Sequence, residues 1–323
     1  MILDKINDFI KKDYESSVLA CGFLINPYNF VVVGVNPTRG LWGGAGSSIN
    51  NTIIDYVTIA TPSNATDFGD LTVGRSQNSG LNSETRGLWG GGGGDAGQTR
   101  IDYVTIATTG NATNFGDLIG EGQKRGTSSF NSDVRGCWGG GYIGSYTAAI
   151  DFITIATTGN ATNFGNLTVA RFALAGLNSD VRGVSLGGED GSNNLNIIDY
   201  NTIATTGNAT DFGDLTLAKQ HCAACNSVTR GLSLGGSASG MTNIIDYITI
   251  ATPSNATDFG DLISDTGYNA GCNSSTRGIS GGGYTSVNIN VIQYITIATT
   301  GNATDFGDLT TVRSEFGACQ NGL

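Results

Sequence analysis

Three short stretches decide the fold. Residues 39–44 read Arg-Gly-Leu-Trp-Gly-Gly, residues 54–61 read Ile-Asp-Tyr-Val-Thr-Ile-Ala-Thr, and residues 64–71 read Asn-Ala-Thr-Asp-Phe-Gly-Asp-Leu. All three recur, with small changes, along the 323-residue chain. The Arg-Gly pair that begins each unit returns every 47 to 49 residues, at Arg39, Arg86, Arg135, Arg182, Arg230 and Arg277. A fixed period of this length indicates a repeat architecture.

Each unit predicts four strands and no helix. A short strand a contains small residues, strand b runs from Arg-Gly to the di-glycine, strand c holds the Ile-Asp-Tyr stretch, and strand d carries the phenylalanine. Ile, Val, Tyr and Thr favour strands, whereas Gly, Asn and Pro mark the junctions between them. Four antiparallel strands in 40 to 50 residues are typical of a propeller blade. We therefore predict an all-β, six-bladed β-propeller over residues 39–323, after an N-terminal extension of residues 1–38.

The two ends of the repeat region indicate how the ring closes. The first unit begins at strand b, and the chain ends on Gly317-Ala318-Cys319, which has the small residues of a strand a. We therefore predict that the C-terminal strand pairs with strand b of the first blade. Residues 29–35 form a rival strand, but Val33 is large for the crowded inner position.

The repeat resembles a known family. Its order of Arg, strand, Gly-Gly, Tyr-bearing strand and aromatic strand is similar to the kelch repeat over about residues 30–323. Asp-Tyr replaces the usual Tyr-Asp order, and Phe stands where strand d of the family usually has Trp. The wording of residues 54–61 and 64–71 also resembles repeats in structural proteins of marine bacteriophages. The kelch resemblance implies a protein- or glycan-binding platform, with a copper oxidase subgroup as the enzymatic exception.

Composition excludes several classes of partner. The net charge is -11, the pI is near 4.4, and the sequence has no basic run, so we expect no nucleic-acid ligand. Charged residues interrupt residues 1–15 and polar residues interrupt 17–35, so neither a signal peptide nor a membrane span is expected. Cys225, Cys272 and Cys319 share one repeat position, which favours small buried thiols over designed disulfides.

The residues needed for catalysis are scarce. His221 is the only histidine, whereas copper oxidase chemistry requires several His and Tyr ligands. Cys222 and Cys225 would point to opposite faces of a strand, which is poor geometry for zinc. We therefore predict no enzyme, no cofactor and no metal site. Weak calcium binding at Asp67, Asp70 and their equivalents is an alternative, although Asn replaces several of these aspartates.

Residues that recur in every unit are interpreted as structural. The arginine of the Arg-Gly pair and the aspartate of strand c predict a buried ion pair, with Arg182–Asp199 and Arg230–Asp246 as examples. The Asn-Ala-Thr triplets fit a glycosylation sequon, but we interpret them as turns between strands c and d.

Variation between the units is concentrated in one set of loops. Antiparallel strands place the b–c and d–a loops on one side of the propeller and the a–b and c–d turns on the other. The b–c loops differ in every blade, which is typical of a binding surface on a rigid scaffold. The predicted binding residues on this side are Tyr142, Tyr146, Tyr284, Asp95, Glu189 and Asp190. The alternative is that these loops vary without selection.

Together these observations predict a non-enzymatic binding protein. Residues 2–10 contain a helical apolar pattern that we interpret as a docking segment for a virion assembly partner. The leading hypothesis is a virion-associated protein that recognises a glycan or protein ligand through the variable loops. The alternative is an intracellular kelch-type interaction scaffold located in the cytoplasm. An enzyme that uses the central channel is the third hypothesis.

Overall fold

The computed structural model describes residues 38–46, 51–94, 99–120 and 122–321. Within these ranges the chain forms a six-bladed β-propeller of 24 strands without helices. The described part of the chain therefore offers no helix that is long and apolar enough to span a membrane. The predicted N-terminal helix and the rival strand at residues 29–35 lie outside the described residues.

The strands run in chain order and have the following bounds. They are β1 (Arg39–Gly43), β2 (Ile53–Thr58), β3 (Thr66–Asp70), β4 (Ser79–Asn82), β5 (Arg86–Gly90), β6 (Arg100–Thr105), β7 (Thr113–Asp117), β8 (Ser128–Asn131), β9 (Arg135–Gly139), β10 (Ala149–Thr154), β11 (Thr162–Asn166), β12 (Ala175–Asn178), β13 (Arg182–Leu186), β14 (Ile197–Thr202), β15 (Thr210–Asp214), β16 (Ala223–Asn226), β17 (Arg230–Leu234), β18 (Ile244–Thr249), β19 (Thr257–Asp261), β20 (Ala270–Asn273), β21 (Arg277–Tyr284), β22 (Asn288–Thr296), β23 (Thr304–Asp308) and β24 (Gly317–Gln320).

Each blade is an antiparallel sheet of four strands, a to d. Blades 2 to 6 use consecutive strands, whereas blade 1 has the order β24-β1-β2-β3. The C-terminal strand therefore supplies strand a of blade 1, with Leu41 opposite Cys319 and Trp42 opposite Ala318. This confirms the predicted closure of the ring.

The hydrophobic core lies between adjacent blades. One cluster combines Ile54 and Phe68 of blade 1 with Trp89 and Ile106 of blade 2, and all four side chains are buried. A bulge in strand d helps to build it, because Ile54 pairs with Gly69 but Asp55 pairs with Asp67, which leaves Phe68 as the extra residue. A blade therefore completes its core only when its neighbour is present.

Strand b shows complementary substitutions between neighbouring blades. A Cβ atom on Gly43 would lie 2.7 Å from the Trp89 ring of the next blade, and one on Gly281 would lie 2.9 Å from Trp42. Each tryptophan therefore needs a glycine opposite it. Three blades have Ser in place of Trp, at positions 185, 233 and 280. The blades before Ser233 and Ser280 have Leu186 and Leu234 in place of glycine, so bulk lost on one side of these two interfaces is restored on the other. The blade before Ser185 keeps Gly139, and there the hydroxyl groups of Ser128 and Ser185 form a hydrogen bond (2.7 Å).

The outer edge of each blade is covered by the next blade. The carbonyl of Phe68 accepts a hydrogen bond from Gly110 N (2.8 Å), and Asp70 N donates to Asn111 Oδ1 (3.1 Å). Gly69 has φ +146°, and a Cβ atom there would lie 2.5 Å from the Gly110 carbonyl oxygen. The asparagine of the Asn-Ala-Thr triplet makes this contact in all six blades. The triplet is a c–d turn, as predicted, and it also protects an edge strand that would otherwise be open to other chains.

The predicted partner of the strand c aspartate is wrong. Arg182 lies over the Tyr200 ring at 4.6 Å and donates to the carbonyl of Ile250 in the next blade (2.9 Å). Arg230 makes the equivalent contacts with Tyr247 and Ile297. These arginines bind backbone oxygen and an aromatic face, so they leave the buried carboxylates to other cations.

The buried aspartates pair with cations from the d–a loops. Five pairs have N–O distances of 2.9 to 3.1 Å: Arg75–Asp102, Lys124–Asp151, Arg171–Asp199, Lys219–Asp246 and Arg313–Asp55. Asp199 also accepts hydrogen bonds from Thr168 N (3.2 Å) and Thr168 Oγ1 (2.6 Å), which belong to the preceding blade. Burial lowers the pKa of Arg75 to about 10 while Asp102 raises it, so this guanidinium stays protonated at neutral pH. Each pair therefore fixes a d–a loop and joins two blades.

Blade 6 replaces both charges together. Thr266 stands in the cation position and Gln293 in the aspartate position, and both are buried. Gln293 Oε1 accepts from Ile263 N (2.8 Å), which preserves the contact with the preceding blade. Two neutral side chains thus occupy the positions of the ion pair without burying charge.

The cysteines of the described residues are buried and free. Burial raises the pKa of Cys225 to about 12, so its thiol is inert at neutral pH. The prediction of buried thiols in place of disulfides is confirmed for Cys225, Cys272 and Cys319.

We predict that Asp199→Ala lowers the free energy of unfolding by about 3 to 5 kcal/mol, because it leaves the Arg171 guanidinium buried and unpaired. The double variant Arg171→Thr/Asp199→Gln, which copies blade 6, should recover most of that loss. Urea unfolding measures both. Double-mutant cycles should give a larger coupling energy for Asp199 with Arg171 than for Asp199 with Arg182. The reverse order would contradict this assignment.

Candidate functional site

Six residues form a closed backbone ring where the d–a loops enter strand a. We call them the collar: Gln77, Gly126, Ala173, His221, Tyr268 and Glu315. Each collar amide donates to the carbonyl of the collar residue in the preceding blade, at 2.6 to 2.9 Å. All six have φ between 50° and 62°. The collar therefore surrounds the channel with one repeated backbone conformation.

The collar side chains do not follow the backbone symmetry. A left-handed conformation costs roughly 1 to 2 kcal/mol for residues other than glycine, yet five of the six collar residues are not glycine. Strain of this kind persists where the surroundings enforce it, and it concentrates at functional sites. A fixed backbone that carries a different residue at each of its six positions can serve as a recognition site.

Gly126 shows why one blade uses glycine. A Cβ atom on Gly126 would overlap the ring of Phe172, which lies across this position from the next blade. Phe172 in turn contacts His221, with ring centroids 5.5 Å apart and planes at 85°. An aromatic side chain therefore fills the space that a collar side chain would occupy in blade 3.

Six rings form a continuous series around the channel mouth. We call Tyr146, Tyr142, Phe172, His221, Tyr268 and Tyr284 the aromatic arc. Neighbouring centroids are 4.0 to 6.4 Å apart, and His221 stacks on Tyr268 at 4.0 Å with an angle of 28°. Arg125 lies over the Tyr142 and Phe172 rings at 5.3 and 5.7 Å. The arc thus extends from blade 3 to blade 6.

The remaining part of the mouth is small and polar. Gln77 and Glu315 occupy the collar in blades 2 and 1, and Ser76 pairs with Gly93 beside them. The Gln77 side chain hydrogen-bonds to the Glu315 carboxylate. Burial raises the pKa of Glu315, whereas Gln77 and Arg125 lower it. The two halves of the mouth therefore differ in chemistry.

The b–c loops support one another around this face. Tyr146 donates from its hydroxyl to Glu189 Oε1 in the next blade (3.0 Å), and this hydrogen bond raises the pKa of Tyr146. Asn194 Nδ2 donates to the carbonyls of Ser237 (3.3 Å) and Ala238 (3.0 Å) in the blade after that. These contacts hold the variable loops in place before any ligand arrives.

The predicted binding residues fall into three groups. Tyr142, Tyr146 and Glu189 lie together, and Tyr284 is 37% exposed at the other end of the arc. Asp190 is exposed and accepts from Ser192 N and Asn193 N (2.9 Å each), which lowers its pKa and forms a local turn. Asp95 lies outside the described residues.

Sequence reasoning missed most of the mouth. It singled out His221 as the only histidine but did not identify the collar or the rings of Phe172 and Tyr268. One signal was available, because the collar lies two residues before strand a and differs in every unit.

The electrostatics of the mouth favour binding over proton transfer. Burial lowers the pKa of His221 to about 3, with a further contribution from Arg125, so the imidazole is neutral and weakly basic. The channel encloses a cavity of about 130 Å³ lined by the collar and strands a, which is smaller than the roughly 300 Å³ of pockets that enclose a drug-sized ligand. No three His, Cys, Asp or Glu side chains of the described ranges are grouped to hold a metal ion.

Comparison with known proteins gives the chain no family. No protein-family model matches it, and the search of curated proteins found no match either. The kelch and bacteriophage resemblances therefore stay predictions. The six-bladed fold itself is consistent with a binding or scaffold module.

We predict that His221 makes folding pH-dependent. The unfolded chain takes up a proton at His221 near pH 6.5, whereas the folded chain does so only near pH 3. Stability should therefore fall as pH drops through this window, with a loss of about 1 kcal/mol by pH 5.5. Urea unfolding gives the free energy of unfolding of the wild type and of His221→Asn. The wild-type value minus the variant value should fall by about 1 kcal/mol from pH 7.5 to 5.5. An unchanged difference would show that the folded imidazole titrates normally.

We predict opposite effects for two collar substitutions. Gly126→Ala should destabilise the protein by about 1 to 3 kcal/mol, because its Cβ displaces the Phe172 ring. Ala173→Gly should be neutral or stabilising, because it relieves a left-handed residue. Thermal melting compares the two variants, and equal effects would contradict the role assigned to Phe172.

Proposed function

We propose that this protein is a non-enzymatic recognition module that binds a glycan or protein ligand across the channel mouth. The observation that carries the proposal is the collar, in which one repeated backbone ring has a different residue at each of its six positions, five of them not glycine. Selection for folding alone would favour glycine at all six positions, because glycine adopts this conformation without strain.

The aromatic arc supplies the affinity in this proposal. Aromatic side chains bury large areas and dominate the energetics of interfaces, which concentrate in a few residues. The arc covers blades 3 to 6, so a ligand that contacts Tyr142 and Tyr284 together must extend along the mouth. Interlocked loops reduce the entropy that such a ligand must overcome.

We further propose that the propeller is carried on a virus particle, with residues 1–38 as the segment that attaches it to an assembly partner. The support is the resemblance of the repeats to those of bacteriophage structural proteins. The alternative is a cytoplasmic interaction scaffold. Immunogold labelling of particles from the source of this chain separates the two, because a free scaffold gives no labelled particles.

The test of binding uses labelled full-length protein on glycan and peptide arrays. Tyr268→Gly/Tyr284→Ser removes two rings of the arc, and the glycine relieves strain at the collar, so the variant should fold. We expect it to bind the ligands of the wild type more than tenfold more weakly, about 1.4 kcal/mol.

The matched control changes the opposite face. Val134 and Val181 lie in a–b turns and are 65% and 62% exposed. Val134→Ser/Val181→Ser should bind as the wild type does. Equal binding by the arc variant, or weaker binding by this control, would place recognition elsewhere.

A further inference from the structure

Glu315 differs from the buried carboxylates of the blades. Each of the five paired aspartates has a Lys or Arg nitrogen within 3.1 Å. Glu315 is half-buried in the collar, and no Lys or Arg of the described ranges lies within ion-pair distance of it. Arg125 acts on it only at longer range and is held over the Tyr142 and Phe172 rings. The mouth therefore contains a carboxylate without a direct counter-ion.

The groups around Glu315 are suited to contact a positively charged ligand. Gln77 Oε1 is shielded from solvent and has no hydrogen-bond partner, so it offers a free acceptor. Tyr268, stacked on His221, offers an aromatic ring in the same collar. His221 is neutral above about pH 3 and does not repel a cation. The protein as a whole has a net charge of -11, which attracts cations.

The cavity beneath the collar limits the size of the group that enters. At about 130 Å³ it has room for a few water molecules or a short alkyl chain. This small volume favours a narrow linear group over a sugar ring.

We propose that the channel mouth binds a primary ammonium group at the end of a linear alkyl chain, as in a lysine side chain. Glu315 is the counter-ion, Gln77 Oε1 accepts a hydrogen bond, and the Tyr268 ring supplies a cation–π contact. The inference rests on the proposed function, since the ammonium belongs to the ligand that the mouth recognises. It selects a protein ligand over a glycan.

The single histidine of the chain provides the measurement. His221 lies beside Tyr268, so the NMR signals of its imidazole report on the mouth alone. Full-length protein is titrated with n-butylammonium at constant ionic strength, and separately with n-butanol and glucosamine. We expect a saturable shift with n-butylammonium and at least tenfold weaker binding of the other two compounds.

Two matched variants test the counter-ion. Glu315→Gln should weaken n-butylammonium binding at least tenfold. Asp265→Asn removes an equal charge from an exposed position in a d–a loop on the same side of the propeller and should change n-butylammonium binding less than twofold. Tyr268→Gly is a second test that relieves collar strain, and it should weaken binding at least threefold. Unchanged binding in this variant would overturn the cation–π contact.

Three results would overturn the inference: no saturable shift with n-butylammonium, binding of n-butanol or glucosamine as tight as that of n-butylammonium, or equal effects of Glu315→Gln and Asp265→Asn. These results leave the proposed function intact if the arrays still depend on Tyr268 and Tyr284. Conversely, if the Tyr268→Gly/Tyr284→Ser variant binds the arrays as the wild type does, the proposed function is refuted. The titration still reports on the ammonium site in that case.

Discussion

The ion pair buried beneath strand c is the constraint on which the rest of the structure depends. In blade 2, Arg75 leaves the d–a loop to pair with Asp102, and two residues later the chain reaches Gln77 of the collar. Asp102 also accepts from Thr72 at the end of the preceding blade. One carboxylate therefore sets the angle between two blades and the entry of the d–a loop into the channel wall. Blade 6 achieves the same with Thr266 and Gln293, so hydrogen-bond geometry matters more than charge.

This anchoring explains how the collar tolerates its strain. A left-handed residue in a free loop would relax, but five of the collar residues follow a cation held in an ion pair, Tyr268 follows the buried Thr266, and all six precede a strand held in the sheet. The backbone ring adds one hydrogen bond per blade, and the six bonds close on themselves. Closure links the blades, because releasing one collar residue breaks the bonds on both of its sides. The backbone alone maintains the ring, so the residue type can differ between collar positions, except at Gly126, where the Phe172 ring leaves no room for a side chain.

Features that repeat in every unit could be predicted from the sequence, whereas most features that differ between units were missed. Repetition of small residues identified strand a, and Gly317-Ala318-Cys319 therefore identified the closing strand. The partner of Asp199 was missed because its position holds Arg, Lys or Thr, while the invariant Arg182 nearby was a more obvious candidate. The collar was missed for a deeper reason, because Gln, Ala, His, Tyr and Glu carry no local signal for a left-handed backbone. Tyr142 and Tyr146 could be assigned to the variable-loop side because loop tyrosines stand out without knowledge of the backbone, and their role in binding stays a prediction.

The difference between frame and mouth has a consequence for recognition. A ring of six equal blades would present the same contacts in six orientations, and a ligand would gain little specificity from any one of them. Here the Phe172 ring takes the space beside Gly126 on one side, while Gln77 and Glu315 stand on the other, so the side chains break the symmetry of the backbone at the mouth. A ligand with an apolar part and a polar end can satisfy both halves in one orientation only. Because the loops are already fixed by contacts such as Tyr146 to Glu189, choosing that orientation costs the protein little ordering entropy. In the proposed function, specificity thus arises from asymmetric side chains on a symmetric backbone.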